Sequence, residues 1–145
     1  RLCVVGEGPE ASSLTQQVER HGIEREVELR DFVPAAVLDQ KMAEATLVVQ
    51  PSAREGYGMV VVEAAAHGVP VVVAEAPDNA AAELVASGEN GLVSAATPAA
   101  LAEAILAVCR DGAVSRGSAS AWYARNRERL SIESSFAILL KAITA

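Results

Sequence analysis

Short apolar runs alternate along this chain with longer amphipathic stretches. Leu2-Cys3-Val4-Val5 is a continuous apolar run ending at Gly6, the pattern of a parallel strand buried on both faces. Glu10 to His21 carries Leu14 and Val18 at an i, i+4 spacing and stops at Gly22, which predicts a helix with a left-handed end. Val27-Glu28-Leu29-Arg30 alternates as a second strand, and Pro34 suits the first turn of a helix over Ala35 to Glu44. Thr46 to Gln50, Val71-Val72-Val73 and Gly91-Leu92-Val93 supply three further strands. Between the third and fourth, Tyr57 to His67 is predicted helical, with Gly68 as its left-handed cap and Pro70 as its stop, although Val60-Val61-Val62 would prefer strand. Asp78 or Asn79 can cap a helix through Val85, and Pro98 to Ala145 reads as helical with breaks near Gly112, Gly117 and Ser131.

Strands alternating with helices predict an α/β domain: a Rossmann-like, doubly wound parallel sheet of about five or six strands. The turns at Gly6, Asp31, Glu55 and Glu75 all follow predicted strand ends, so they belong to the carboxyl edge, where open α/β sheets bind ligands. Gly6-Glu7-Gly8-Pro9 is not a dinucleotide fingerprint, because Pro9 intrudes and a third glycine is absent.

Composition narrows the function. The 145 residues suit one domain, and 51% hydrophobic content makes it globular. A net charge of -7 argues against a nucleic-acid surface, and the five arginines between Arg110 and Arg129 read as a solvated helix face. No run is long enough for a membrane helix and no signal-peptide pattern opens the chain, so a cytoplasmic protein is expected. Cys3 and Cys109 have no motif partner and are expected as buried free thiols, with no metal cage. His21 and His67 precede glycines at helix ends and need no catalytic role, while Trp122 and Tyr123 are expected to pack.

The chemistry concentrates in the run Pro51 to Glu63. A strand, a loop with two glycines and a helix entered at about Gly58 form an anion site, because first-turn peptide N–H groups have no helical partner. Gly56 and Gly58 would let a ligand approach the backbone, so Gly58→Val is expected to harm binding more than folding. Glu55 precedes the turn and Glu63 stands deeper along the helix; singly, each also fits a surface charge.

Glu55 and Glu63 form an E-x7-E pattern, framed by Pro51-Ser52, Glu55-Gly56-Tyr57-Gly58, Glu63-Ala64, Gly68-Val69-Pro70-Val71-Val72 and Gly88-Glu89-Asn90-Gly91-Leu92-Val93. Over roughly its first two thirds the chain thereby resembles the retaining glycosyltransferases of two-domain GT-B architecture, glycosyl transferases group 1. The resemblance implies a hexosyl group moved from a nucleoside diphosphate sugar to an acceptor hydroxyl. It places Glu55 on hydroxyls of the donor sugar as the catalytic-site residue and Glu63 on the ribose. It gives the diphosphate to the amides of Gly56, Tyr57, Gly58, Met59 and Val60, puts Val33 near the base through backbone atoms, and counts Ser52 and Arg54 with the donor-binding set. Asp31 stands where the family usually has glycine.

The resemblance further implies that residues 1–145 form most of a donor-binding domain, with the acceptor-binding N-terminal domain and a first β-α unit lying upstream. The full-length enzyme would be free to associate peripherally with a membrane. No cofactor or metal is expected. Between Met42 and Cys109 one basic residue, Arg54, stands against eight acidic ones, so cations for a diphosphate must come from elsewhere; the resemblance implies an Arg and a Lys from the segment just upstream, and the 145-residue piece alone is expected to bind nucleotide weakly. Two other readings stand beside this one. One is a nucleotide-sugar 2-epimerase of the same architecture. The other is a non-enzymatic flavodoxin-like interaction domain, against which the scattered Glu7, Asp31 and Glu75 argue.

Overall fold

The structure is a computed structural model and describes residues 1–144, in two compact units, Arg1–Lys41 and Met42–Ala145. In the first, β1 (Leu2–Val5) pairs in parallel with β2 (Val27–Arg30) across the crossover helix α1 (Ala11–His21). Gly22 ends α1 in the left-handed region, φ 63°, as its position predicts. The expected two-faced burial of β1 is overturned. Leu2 and Cys3 are exposed and no residue of α1 is buried, because two strands and one helix cannot close over both faces of the pair. Arg30 donates to Glu28 at 2.5 Å; this hydrogen bond, with Lys41 adding, holds the Glu28 carboxyl below its ordinary range. Glu7 Oε1 accepts from the Phe32 N–H at 3.3 Å, which ties the turn after β1 to the turn after β2.

The boundary between the units falls within α2 (Ala35–Glu44), whose Met42 belongs to the second core. There β3 (Val48–Gln50), β5 (Val71–Glu75) and β7 (Gly91–Ala95) form a parallel sheet with β5 in the middle. Val71 and Val73 pack with Val61 and Ala64 of α3 (Met59–Ala66), and Val72 points the other way, against Val108 of α4 (Pro98–Asp111) and Val114. Both faces of this sheet are therefore covered, as a doubly wound fold requires. A second parallel pair follows the carboxyl ends of β3 and β5: β4 (Arg54–Glu55) lies beside β6 (Asp78–Asn79), with Arg54 opposite Asp78 and Glu55 opposite Asn79.

Helix α3 forms despite its three valines, since their propensity deficit of a few tenths of a kcal/mol each is small beside the roughly 1.5–3 kcal/mol from burying a side chain such as Val61. It starts at Met59, two residues later than the sequence suggests. Its end is the expected one: the N–H groups of Gly68 and Val69 donate to the carbonyls of Ala65 and Ala64 at 2.9 and 2.8 Å, with Gly68 at φ 65°. Asn79 heads a 3-10 turn, Ala80–Leu84, in place of an α-helix. Gly117 breaks nothing, for it sits inside α5 (Arg116–Asn126), whose start is set by a reciprocal Ser115–Ser118 capping box. Breaks do occur at Gly112 and before α6 (Ile132–Thr144). Trp122 is buried in α5, while Cys109 lies on the exposed side of α4, which corrects the expectation of two buried thiols. Among the described residues no helix is long and apolar enough to cross a membrane.

Arg116 joins two helix ends. Its guanidinium donates to the carbonyl oxygens of Ala45 at 2.8 Å, Ala43 at 3.0 Å and His67 at 2.9 Å, and so serves the carboxyl ends of both α2 and α3. An ammonium cannot span that fork. Arg116→Lys should lower stability by about 1–2 kcal/mol, roughly 2–8 °C in Tm, despite keeping the charge. Thermal melting checks this; an unchanged Tm would mean that charge alone, and not the fork, holds these ends.

Candidate functional site

The loop between β3 and α3 is built outward from buried polar atoms. β3 ends at Gln50, the chain passes half-buried Ser52, and Arg54-Glu55 pairs with Asp78-Asn79 before the turn Gly56-Tyr57-Gly58 leads into α3. Glu55 is half-buried. Its Oε1 accepts from the N–H of Gly58 at 3.2 Å and of Tyr57 at 3.4 Å, and its Oε2 accepts from Gln50 Nε2 at 3.3 Å. The carboxylate thus folds back over its own turn and occupies the first two amides ahead of the helix. Helix α3 begins at Met59 because Gly58 takes φ 90° and ψ 44°, outside the helical region, while the carboxylate serves the N–H groups of Tyr57 and Gly58. The amides of Met59 and Val60 follow in the first helical turn, where the helix itself provides no acceptor.

Gly58 is needed by the fold before any ligand. It takes φ 90° and ψ 44°, and a Cβ there would lie 2.5 Å from Ala81 Cβ and 2.7 Å from Ala81 Cα. The expectation that a side chain at 58 harms binding more than folding is therefore overturned, since the obstacle is the backbone of the 3-10 turn. Gly56, in contrast, faces open space.

The other predicted residues take these places. Tyr57 and Met59 are exposed and Val60 is half-buried, all on the same turn as Glu55. Glu63 is exposed on α3, whose Val61, Ala64 and Ala65 turn into the core. Val33 is buried in the first unit, beside exposed Phe32, and belongs to that unit's carboxyl-edge turns. Arg54 does not stand alone: its Nε lies 3.5 Å from Asp78 Oδ2, both side chains being largely exposed at 86% and 68%. Such a pair contributes little to stability, about 0–1 kcal/mol, yet it places a carboxylate next to the cation of this stretch. Among the described residues no cluster of three or more His, Cys, Asp or Glu is placed to hold a metal.

Sequence reasoning missed two members of the site, Gln50 and Asn79, at 6% and 4% exposure. Asn79 was legible only as a helix cap, and Gln50 only as the polar end of an apolar run. A concavity of about 420 Å³ does lie elsewhere, lined by Thr46, Pro70, Val114 and Arg116. Thr46 and Pro70 precede β3 and β5, so it opens at the amino ends of the strands, opposite to the edge where ligands of such sheets bind.

Residues 1–111 match the family described as glycosyl transferases group 1. The chain is 33% identical over 117 residues to the D-inositol 3-phosphate glycosyltransferase of Corynebacterium glutamicum, a match covering 77% of this chain and 27% of that protein. It is 34% identical over 118 residues to an exopolysaccharide phosphotransferase of Streptomyces coelicolor, covering 80% of this chain and 12% of that one. Among solved structures it is similar to Anabaena Alr3699/HepE in complex with UDP, with 29% identity and a TM-score of 0.82 over 98% of this chain and 40% of that one. The sucrose-phosphate synthase of Thermosynechococcus elongatus shares the fold, with 23% identity and a TM-score of 0.81 over 98% of this chain and 38% of that one. The chain thus spans well under half the length of these relatives.

The two loop glycines should separate in a denaturation experiment. Gly58→Ala combines left-handed strain with a clash against backbone and should cost roughly 2–5 kcal/mol, whereas Gly56→Ala should stay within about 0.5 kcal/mol of wild type. Urea unfolding midpoints of the two variants check it, and equal midpoints would contradict the packing of the α3 start against Ala81.

Proposed function

The chain belongs to the glycosyl transferases group 1 family and has the Rossmann-like fold of GT-B domains, and from that premise we propose that it is the donor-binding domain of a retaining glycosyltransferase. The full-length enzyme moves a hexosyl group from a nucleoside diphosphate sugar to an acceptor hydroxyl. The observation that carries this reading is Glu55: a half-buried carboxylate held by three N–H donors at the mouth of a helix, on the carboxyl side of β3. Support for the donor class comes from Alr3699/HepE, 28–29% identical and solved with UDP and with UDP-glucose.

In this reading Glu55 accepts hydroxyls of the donor sugar and sets its orientation. Its partners among the described residues are N–H donors, which suits an orienting role. The first-turn amides of α3 receive the diphosphate and stabilise it as it departs, being aligned before the bond breaks. Glu63 takes the ribose hydroxyls. The acceptor is bound by the rest of the longer protein, and donor binding needs no metal. A diphosphate carries about two negative charges and one helix end offers roughly half a positive one, so Arg54, already beside Asp78, leaves much of the charge for cations outside residues 42–109.

Calorimetry on the full-length protein with a panel of nucleoside diphosphates and their sugar conjugates tests the division of roles. Glu63→Ala should weaken bare diphosphate and sugar nucleotide alike, on the order of 1.5–3 kcal/mol, while Glu55→Ala should spare the bare diphosphate. Equal losses for both ligands in both variants would refute it. A second outcome concerns charge: Asp78→Asn releases Arg54 and should tighten diphosphate binding by about two- to fivefold at low salt, a gain that fades as salt is raised. Weaker binding in that variant would mean that Asp78 holds Arg54 in place for the ligand.

A further inference from the structure

The polar atoms behind the Glu55 loop form a line whose polarity is set from one end. Asn79 Nδ2 donates to the carbonyl oxygens of Ser52 at 2.9 Å and Ala74 at 2.8 Å, and its Oδ1 accepts from the Ala81 N–H at 3.1 Å. These partners are backbone groups that cannot exchange donor for acceptor, so the buried Asn79 amide has one orientation. The same Nδ2 shares one of its two hydrogens with Gln50 Oε1 at 3.2 Å, and this contact, together with the acceptor Glu55 Oε2 at 3.3 Å on the other side, turns the Gln50 Nε2 toward the carboxylate. A flipped Gln50 would set its oxygen against a carboxylate and its NH₂ against another NH₂. Backbone polarity at Ser52, Ala74 and Ala81 is thereby transmitted through two buried amides to a single N–H aimed at Glu55.

We propose that Asn79 and Gln50 are positioning residues for sugar transfer, presenting that fixed N–H so that the Glu55 carboxylate is held ready for the donor sugar. The inference rests on the reading of Glu55 as the sugar-binding carboxylate. Three N–H groups hold the two oxygens, and a carboxylate offers about four lone-pair sites, so capacity for a sugar hydroxyl remains. Gln50 serves this purpose more than it serves the fold. Asn79 keeps its Ser52 and Ala74 acceptors without it, so replacing Gln50 by an apolar residue of similar size leaves the Asn79 amide satisfied.

The test uses the full-length protein with UDP and UDP-glucose, and with the GDP pair alongside. Gln50→Leu should weaken sugar-nucleotide binding about tenfold to a hundredfold, as loss of a charged hydrogen bond does, and leave bare diphosphate affinity within about twofold. A merely structural role would weaken both ligands together, and that result, or no effect on either, overturns the proposal. Glu55→Ala, run in parallel, separates the two levels. Without a sugar-selective loss in Glu55→Ala the underlying reading fails and takes this proposal with it; a selective loss there with none in Gln50→Leu overturns the relay alone. Gln50→Glu provides an independent measurement should the leucine variant fold poorly. At low pH its protonated carboxyl donates to Glu55 as the amide does, and at high pH two carboxylates repel, so sugar-selective affinity should recover as pH falls from about 8 to about 5.5. A deficit independent of pH would overturn the proposal.

Discussion

Strand β5 is the constraint from which the second unit follows. Val71 to Ala74 are buried, and side chains alternate across a strand, so the valines demand an apolar partner on each face. Helix α3 meets one side and α4 the other. Parallel neighbours must each be reached by a crossover, which brings β3 and β5 to the same edge with their carboxyl ends together. The segments leaving those ends then run side by side for two residues as β4 and β6. The site is thus a by-product of burying one apolar strand: polar chain emerging at a common edge, close enough to hydrogen-bond to itself.

What distinguishes this edge from an ordinary loop is how its polar atoms are satisfied. Among the described residues no buried side-chain nitrogen or oxygen lacks a partner. A buried donor or acceptor left unpaired costs about 1–3 kcal/mol, more than a surface ion pair such as Arg54–Asp78 contributes. Satisfaction of Gln50 and Asn79 therefore dominates the local geometry, and the exposed charges follow it.

Much of this architecture was legible in the residues. Gly68-Val69-Pro70 marked the end of α3 because a left-handed glycine and a following proline leave few alternatives, and Gly22 did the same for α1. The loop carrying Glu55 could be placed at a strand's carboxyl end by alternation of elements alone. What stayed hidden depended on contacts distant in sequence. The start of α3 was misjudged because Gly58, packed against Ala81, takes a left-handed conformation, and Gly117 looked like a break because a capping box begun two residues earlier decides the matter. Burial of Cys3 failed as an inference because an apolar run says that cover is wanted, not that it is present. Gln50 and Asn79 are 29 residues apart, and no local pattern could announce that their amides meet.

The two-residue ladder of β4 and β6 has a further consequence for how this loop tolerates change in length. Successive strand residues face opposite ways, so of the adjacent pair Arg54-Glu55 one must turn toward the buried amides and the other toward solvent. Adding a single residue between Gln50 and Arg54 would set the register back by one, placing the Arg54 guanidinium opposite Asn79 and carrying the Glu55 carboxylate past the ladder toward solvent. The register of this short ladder decides which sign of charge the site presents, so the three residues between Gln50 and Arg54 measure out the chemistry as well as the distance.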